Sequence, residues 1–233
     1  MPRGRAIGPA RPVVVIGDIV ESRSLADRAG VQNRLLDAVD AFNQEEGRSL
    51  AAELRLTAGD EVQALLADPA VAVDLVTRLS DALRPAELAW GLGRGAVTTD
   101  WSDDVSAMDG PCFHRARAAV EAAADEGVWL RARGFSEVDD RVLSGLFRLL
   151  GVLRAGWTDT QFAYLRALRG GTQREVAERF GRDETTVSRT LSRAHVHDVV
   201  EGEEAARALL AAYGAAEDAG GAASRIRATV RTT

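Results

Sequence analysis

The chain has no lysine: all 29 of its basic residues are arginine. Chemistry that needs a side-chain amine, such as Schiff-base formation, is therefore excluded. Arginine cannot replace lysine where a compact point charge is required, so the imbalance reads as a GC-rich coding bias and not as a mechanism. Cysteine is nearly as scarce. Cys112 stands alone, which rules out an intramolecular disulfide and any multi-cysteine metal site; it reads as a buried structural thiol. Long apolar runs are missing too. Runs such as residues 13–16 and 64–67 fall far short of the roughly 20 residues a membrane span needs, and no apolar signal segment follows Met1. A soluble, cytoplasmic protein with no membrane partner is expected.

What is present is a chain of 233 residues, 46% of them hydrophobic, enough for one sizeable core and a satellite. The net charge of −6 is unevenly spread. Residues 1–135 carry 15 arginines against 21 acids, whereas residues 136–200 carry 10 against 9. The front part is a poor non-specific nucleic-acid binder, and the back part can bind if its arginines share a face.

Periodicity divides the chain in the same way. Residues 11–18 (RPVVVIGD) read as a buried strand, followed by a helix with Val31, Leu35, Leu36, Val39 and Phe42 on one face and Asp27 as N-cap. Strands at 53–57 and 62–66 flank the turn Ala58-Gly59-Asp60-Glu61. A helix at 70–83, a glycine-broken strand at 88–97, a helix at 111–124 and a strand at 128–133 complete a β-α-β-β-α-β-α-β order. The expected fold class is α+β: a ferredoxin-like or cyclase-like α/β sandwich over residues 11–135, followed by an all-α unit. That unit spans residues 136–213, with helices at 138–153, 160–168, 173–180 and 184–195 and one more from Gly202 to Tyr213, and its expected core is Leu146, Leu149, Leu165, Leu168, Val176, Phe180, Val187 and Leu191. Residues 1–10 and 214–233 read as disordered.

The strongest local signal is residues 173–191, QREVAERFGRDETTVSRTL. Ala177 sits where two helices cross, Gly181 supplies the turn with positive φ, and Val187 anchors the second helix. Val176, Phe180 and Leu191 complete the apolar face. Thr185, Thr186, Ser188, Arg189, Ser192 and Arg193 lie on the opposite side, a mixture of hydroxyls and guanidinium forks suited to phosphates and guanine edges. The stretch 157–194, from WTDTQFAYLRAL through a Gly-Gly-Thr step to TVSRTLSRA, resembles the DNA-binding unit of sigma-factor region 4 and related response regulators. The resemblance implies double-stranded DNA as partner. It places Thr185, Thr186, Ser188 and Arg189 toward bases and Arg174, Arg182 and Arg193 toward phosphates.

In the front part, VVIGDIVESR (14–23), TAGDEVQALL (57–66), GLGRGAVTTD (91–100) and MDGPCFHRAR (108–117) resemble the SatD family and, more distantly, class III nucleotidyl cyclases and GGDEF domains. This second resemblance implies a nucleotide or cyclic-nucleotide ligand with Mg²⁺ held by Asp18 and Asp60, Glu61 being a third candidate ligand. Gly17, Gly59, His114, Arg115 and Arg117 are the implied phosphate contacts. The cyclase pattern is broken where its base-selecting Lys aligns with Leu56, and where its Asn and Arg align with His114 and Ala118. Without those donors, phosphoryl transfer loses its main electrostatic support. The expectation is a transcriptional regulator, a homodimer paired through the cyclase-type face, whose degenerate domain binds a nucleotide-type ligand and modulates DNA binding. The alternative is an active cyclase or nucleotide-polymerising enzyme with an attached DNA-binding domain.

Overall fold

Strand β1 (Val13–Ile19) is apolar on both of its faces, and that composition puts it in the middle of a sheet covered on both sides. In chain order it is followed by α1 (Arg28–Glu46), β2 (Leu50–Leu56), β3 (Glu61–Leu66), α2 (Ala72–Leu83), β4 (Leu88–Arg94), α3 (Pro111–Asp125) and β5 (Leu130–Arg133). The helices α4 (Glu137–Ala155), α5 (Asp159–Leu168), α6 (Gln173–Phe180), α7 (Glu184–Arg193) and α8 (Val196–Val230) complete the chain. The structure, a computed structural model, describes residues 11–57 and 60–230, with Arg23 and 215–230 described by their backbone alone. Among the described residues it is a mixed α+β protein with one five-stranded sheet and eight α-helices. None of these helices is long and apolar enough to cross a membrane.

The strands lie in the order β2-β3-β1-β4-β5. β1 is antiparallel to both β3 and β4, β2 is antiparallel to β3, and β5 joins the far edge parallel to β4. Because side chains alternate along a strand, β1 sends Val13, Val15 and Ile19 to one face and Val14 and Ile16 to the other. The first face carries α1, through Val31, Leu35, Val39 and Phe42, and α2, through Leu75, Leu79 and Leu83. The second face carries α3 through Cys112, Ala116, Val120 and Ala123. Gly91 and Gly93 let α3 lie directly on β4, since a Cβ at either would overlap backbone atoms at Cys112, Ala116 or Val120. Burial pushes the Cys112 thiol up to about 11, which leaves it inert.

The core does not stop where the sheet ends. The cluster on the α1/α2 face continues without interruption into Leu143, Phe147, Leu150, Leu165, Val187, Leu191 and Val199 of the C-terminal helices. Local start signals are clear there: Thr158 and Thr172 each close a reciprocal capping box, with Gln161 and Glu175, and Asp27 caps α1 as its position implies. Two expectations are corrected. Leu149, which sequence reasoning placed in the core with Leu146, is 65% exposed. The helix is apolar on two sides, and the buried side is the one carrying Leu143, Phe147 and Leu150. The segment from residue 214, read as disordered, has helical backbone through Val230; its many alanines favour continuation past the expected stop at Tyr213. Residues 1–10 and 231–233 lie outside the described residues.

Candidate functional site

Two places concentrate chemistry. The first is the sheet corner where β1 ends and β3 begins. Asp18 and Glu61 are direct cross-strand partners, and residues facing each other in an antiparallel pair project to the same face, here the α3 face. Two carboxylates so placed repel, and α3 supplies the remedy in Arg117. Its guanidinium forms a two-pronged pair with Glu61, Nη1 to Oε2 and Nη2 to Oε1 at 2.7 Å. Glu61 also accepts from the Thr57 hydroxyl at 3.0 Å and the Gln63 amide at 2.5 Å. The turn itself is closed by the Thr57 N–H donating to the Glu61 carbonyl at 2.7 Å.

Among the described residues Asp18 has no such partner. Burial raises its carboxyl above the ordinary aspartate range and the neighbouring Asp60 charge raises it further, while Arg117 and a bond from the Ile19 N–H oppose both. Asp60 rims a small cleft with Ile19, Ser22, Leu25, Arg28, Val31 and Leu35. The corner thus brings together Asp18, Asp60, Glu61 and Arg117, but only Asp18 and Asp60 are left as candidate ligands for a cation. No group of three or more His, Cys, Asp or Glu side chains with metal-holding geometry exists among the described residues. Two carboxylates fall short of the oxygen set that the two-ion arrangement requires.

The other expected phosphate contacts have different duties. Gly17 faces Trp90 across the sheet, and a Cβ there would overlap the indole ring; its hydrogen makes room for a core side chain, not for a phosphate. Arg115 donates to the Arg94 carbonyl at 2.7 Å, holding the end of β4. His114 is exposed and pairs with Asp109 at 3.0 Å, across the start of α3. Gly59 lies outside the described residues.

The second place is the pair of short helices α6 and α7. The turn between them is made at Gly181, whose φ of 60° is the left-handed conformation that favours glycine. Val176 and Ala177 of α6 and Val187 and Leu191 of α7 are buried. Trp157 ties the unit shut by donating its indole N–H to the Ala194 carbonyl at 2.7 Å. Thr185, Arg189, Ser192 and Arg193 of α7 face solvent, as does Arg182 in the turn. Ser188 is half-buried, and the Thr186 hydroxyl is engaged by the capping carboxylate of Asp183 at 2.7 Å. Arg174 pairs with Glu178 on α6 at 3.0 Å. Phe180, expected on the apolar face, packs against Tyr164 with the rings tilted by 59°, yet stays 37% exposed.

Sequence reasoning missed a third feature, which joins α2 to the C-terminal helices. Asp81 of α2 is buried and forms an ion pair with Arg154 of α4. Arg169, which follows α5, reaches Asp81 at 3.4 Å and Glu203 of α8 at 2.9 Å. Arg166 donates to the Asp81 carbonyl at 3.0 Å, and Arg207 pairs with Asp74 at 2.8 Å. Burial raises the Glu203 carboxyl, against the lowering pull of Arg169 and Arg154. Partners 34 to 133 residues apart leave no local signal to find.

By its elements this is an α+β sheet protein carrying an acidic corner and a helical unit with an arginine-bearing outer helix. The match to a family extends across both parts: the SatD family model covers residues 12–199, and the chain belongs to the SatD family. No curated protein matches it in a sequence search.

Proposed function

We propose that the protein is a transcriptional regulator in which α6 and α7 form a helix-turn-helix and the sheet unit senses a nucleotide-type ligand. The observation that carries this reading is the outer face of α7. Arg189 and Arg193 stand exposed there, and Arg182 beside them, with no ion-pair partner among the described residues, on a scaffold fixed by Val187, Leu191 and the Trp157 bond. Unpaired guanidinium groups on a rigid helix suit phosphates and guanine edges. Arg174 is committed to Glu178 and is the weaker candidate. Gel-shift and footprinting on the chain's own promoter region test this, comparing the parent with Arg189→Ala and Arg189→Ala/Arg193→Ala. Loss of the footprint is expected, and an unchanged footprint refutes it.

In the sheet unit we read β1 to β4, in the spatial order β2-β3-β1-β4, as a ferredoxin-like arrangement of cyclase type with β5 added. Asp18 and Asp60 would hold a Mg²⁺ ion delivered with the ligand, and the ion would neutralise the phosphate charge. The chain's own residues then bind without turning over. Arg117, the guanidinium nearest the acids, is spent on Glu61, Arg115 is spent on a carbonyl, and Leu56 and Ala118 offer no donor. That distribution favours a binding domain over the cyclase alternative. Incubation with ATP or GTP and Mn²⁺, followed by product analysis, separates the two: any cyclised or polymerised nucleotide supports the enzyme.

A further inference from the structure

The face of α4 turned away from the core is apolar. Val138 is 66% exposed, Val142 48%, Leu149 65% and Val152 69%, and Leu153 adds to the edge. These positions, with Gly145 between them, are separated by 4, 3, 4 and 3 residues. That is the 3.5-residue period of a helix that packs along another helix. A surface helix needs no such seam for its own fold, and this one leaves four β-branched or leucine side chains in water.

Gly145 is a second, independent sign. Among the described residues nothing outside the turn of helix it belongs to lies within 4 Å of where its Cβ would be, so no contact among them requires glycine. Mid-helix glycine is nevertheless unfavourable relative to alanine. Its absence of side chain has a purpose if another backbone crosses close to it, as small residues allow at helix crossings.

We infer that α4 is the face on which two copies of this chain pair, crossing antiparallel at Gly145. The occupant is argued from the spacing. Relative to Gly145 the apolar residues lie at −7, −3, +4 and +7. Reversing the direction of the helix maps this set onto itself to within one residue, putting Val138 against Val152 of the other copy and Val142 against Leu149. A surface that is its own complement is what a two-fold interface requires. The exposed apolar area of the stripe is roughly 400–500 Å² per copy, so a pair buries about 800–1,000 Å² of it, the size of a weak, reversible association and below the roughly 1,200 Å² of stable interfaces. Arg141 and Arg148 form the polar rim of the stripe. Arg141 is held by Glu137 at 2.9 Å and both ends of that pair are about four-fifths exposed, so solvent screens the approach of the two arginines across the dimer. This surface is distinct from the sheet corner through which cyclase-type domains pair. It rests on the geometry of α4 and not on the DNA-binding reading, so either can fail alone.

Sedimentation velocity on the full chain across the micromolar range tests it. The parent should run as a species of twice 24.9 kDa. Val142→Glu/Leu149→Glu should run as a monomer with unchanged circular dichroism, since both side chains are already in water. Gly145→Ala separates the dimer from a bare helix. Between crossing helices the added methyl weakens association by about tenfold or more, whereas on an uncovered face it only raises the melting temperature. A parent that stays monomeric overturns the inference, as does a double variant that still dimerises or a Gly145→Ala chain that associates as the parent does. Parent monomers that instead bind anionic vesicles would assign the stripe to a membrane surface and overturn it equally.

Discussion

Replacing Asp81 by alanine is the most informative single change, because its carboxylate sits at the junction of four helices. Asp81 is 2% exposed and Arg154 6%. The carboxylate accepts from Arg154 and, at 3.4 Å, from Arg169. Once it is removed, the one carboxylate left to Arg154 among the described residues is Glu203, at 3.7 Å and without a hydrogen bond from Nη1, beside the rings of Trp129, Trp157 and Phe162 at 4.6–5.3 Å. A buried charge left short of its partner costs about 3–5 kcal/mol, a large part of the roughly 5–15 kcal/mol that holds a domain folded. At about 2–4 °C per kcal/mol for a chain of this size, the melting temperature should fall by about 6–20 °C. The control is Asp81→Leu/Arg154→Met, which removes both charges and keeps apolar volume. It should recover most of the loss, since a well-packed apolar replacement for a buried pair is close to neutral. Thermal and urea unfolding, followed by far-ultraviolet dichroism and tryptophan fluorescence, give the numbers. A single-variant loss under about 1 kcal/mol, or a double variant no better than the single one, would refute the junction's role.

Three further outcomes are expected. Arg189→Ala should weaken specific DNA binding by about 1–3 kcal/mol with no change in melting temperature, and an equal loss on unrelated sequences would make it a phosphate contact instead. Gly17→Val should unfold or strongly destabilise the protein, because the Trp90 ring fills the space; a stable Gly17→Val chain that merely loses ligand binding would restore the phosphate role. Asp18→Asn/Asp60→Asn should abolish any melting-temperature shift produced by Mg²⁺ with a nucleotide, read as RT ln(1 + [L]/Kd). Because the folded Asp18 carboxyl is held above its ordinary value, its ionisation costs the parent stability as pH rises from the unfolded aspartate value through the folded one. The variant should lack that decline and equal or exceed the parent at neutral pH; a variant less stable at neutral pH would show Asp18 to be a structural cap.

Periodic and capping information made much of this legible from sequence. The strand and helix order, the buried face of α1 apart from Leu36, which is 41% exposed, the Gly181 turn and the burial of Ala177 and Val187 all depend on residues within a few positions of one another. The misses have the opposite character. Nothing near Gly17 in sequence announces Trp90, which arrives 73 residues later in register, and Glu61 reads as a free acid until α3 brings Arg117 against it. Leu149 was misplaced because α4 has two apolar sides, and periodicity alone does not say which one meets the core. The ions joining α2 to α4, α5 and α8 follow from packing between distant helices, which leaves no trace in a local window.

Ser80 sits one residue before Asp81, and its hydroxyl oxygen accepts from the indole of Trp90 at 2.9 Å and from that of Trp129 at 3.0 Å. One short stretch of α2 is therefore bolted to β4 and to the approach to β5 by Ser80, and to the C-terminal helices by Asp81. The two attachments point in different directions from adjacent residues, so α2 has no axis about which it can turn while keeping both. Partial rotation would forfeit two indole bonds and an ion cluster together, with no gentler slope between seated and unseated. Loosening α2 from the sheet would therefore loosen it from the C-terminal helices as well.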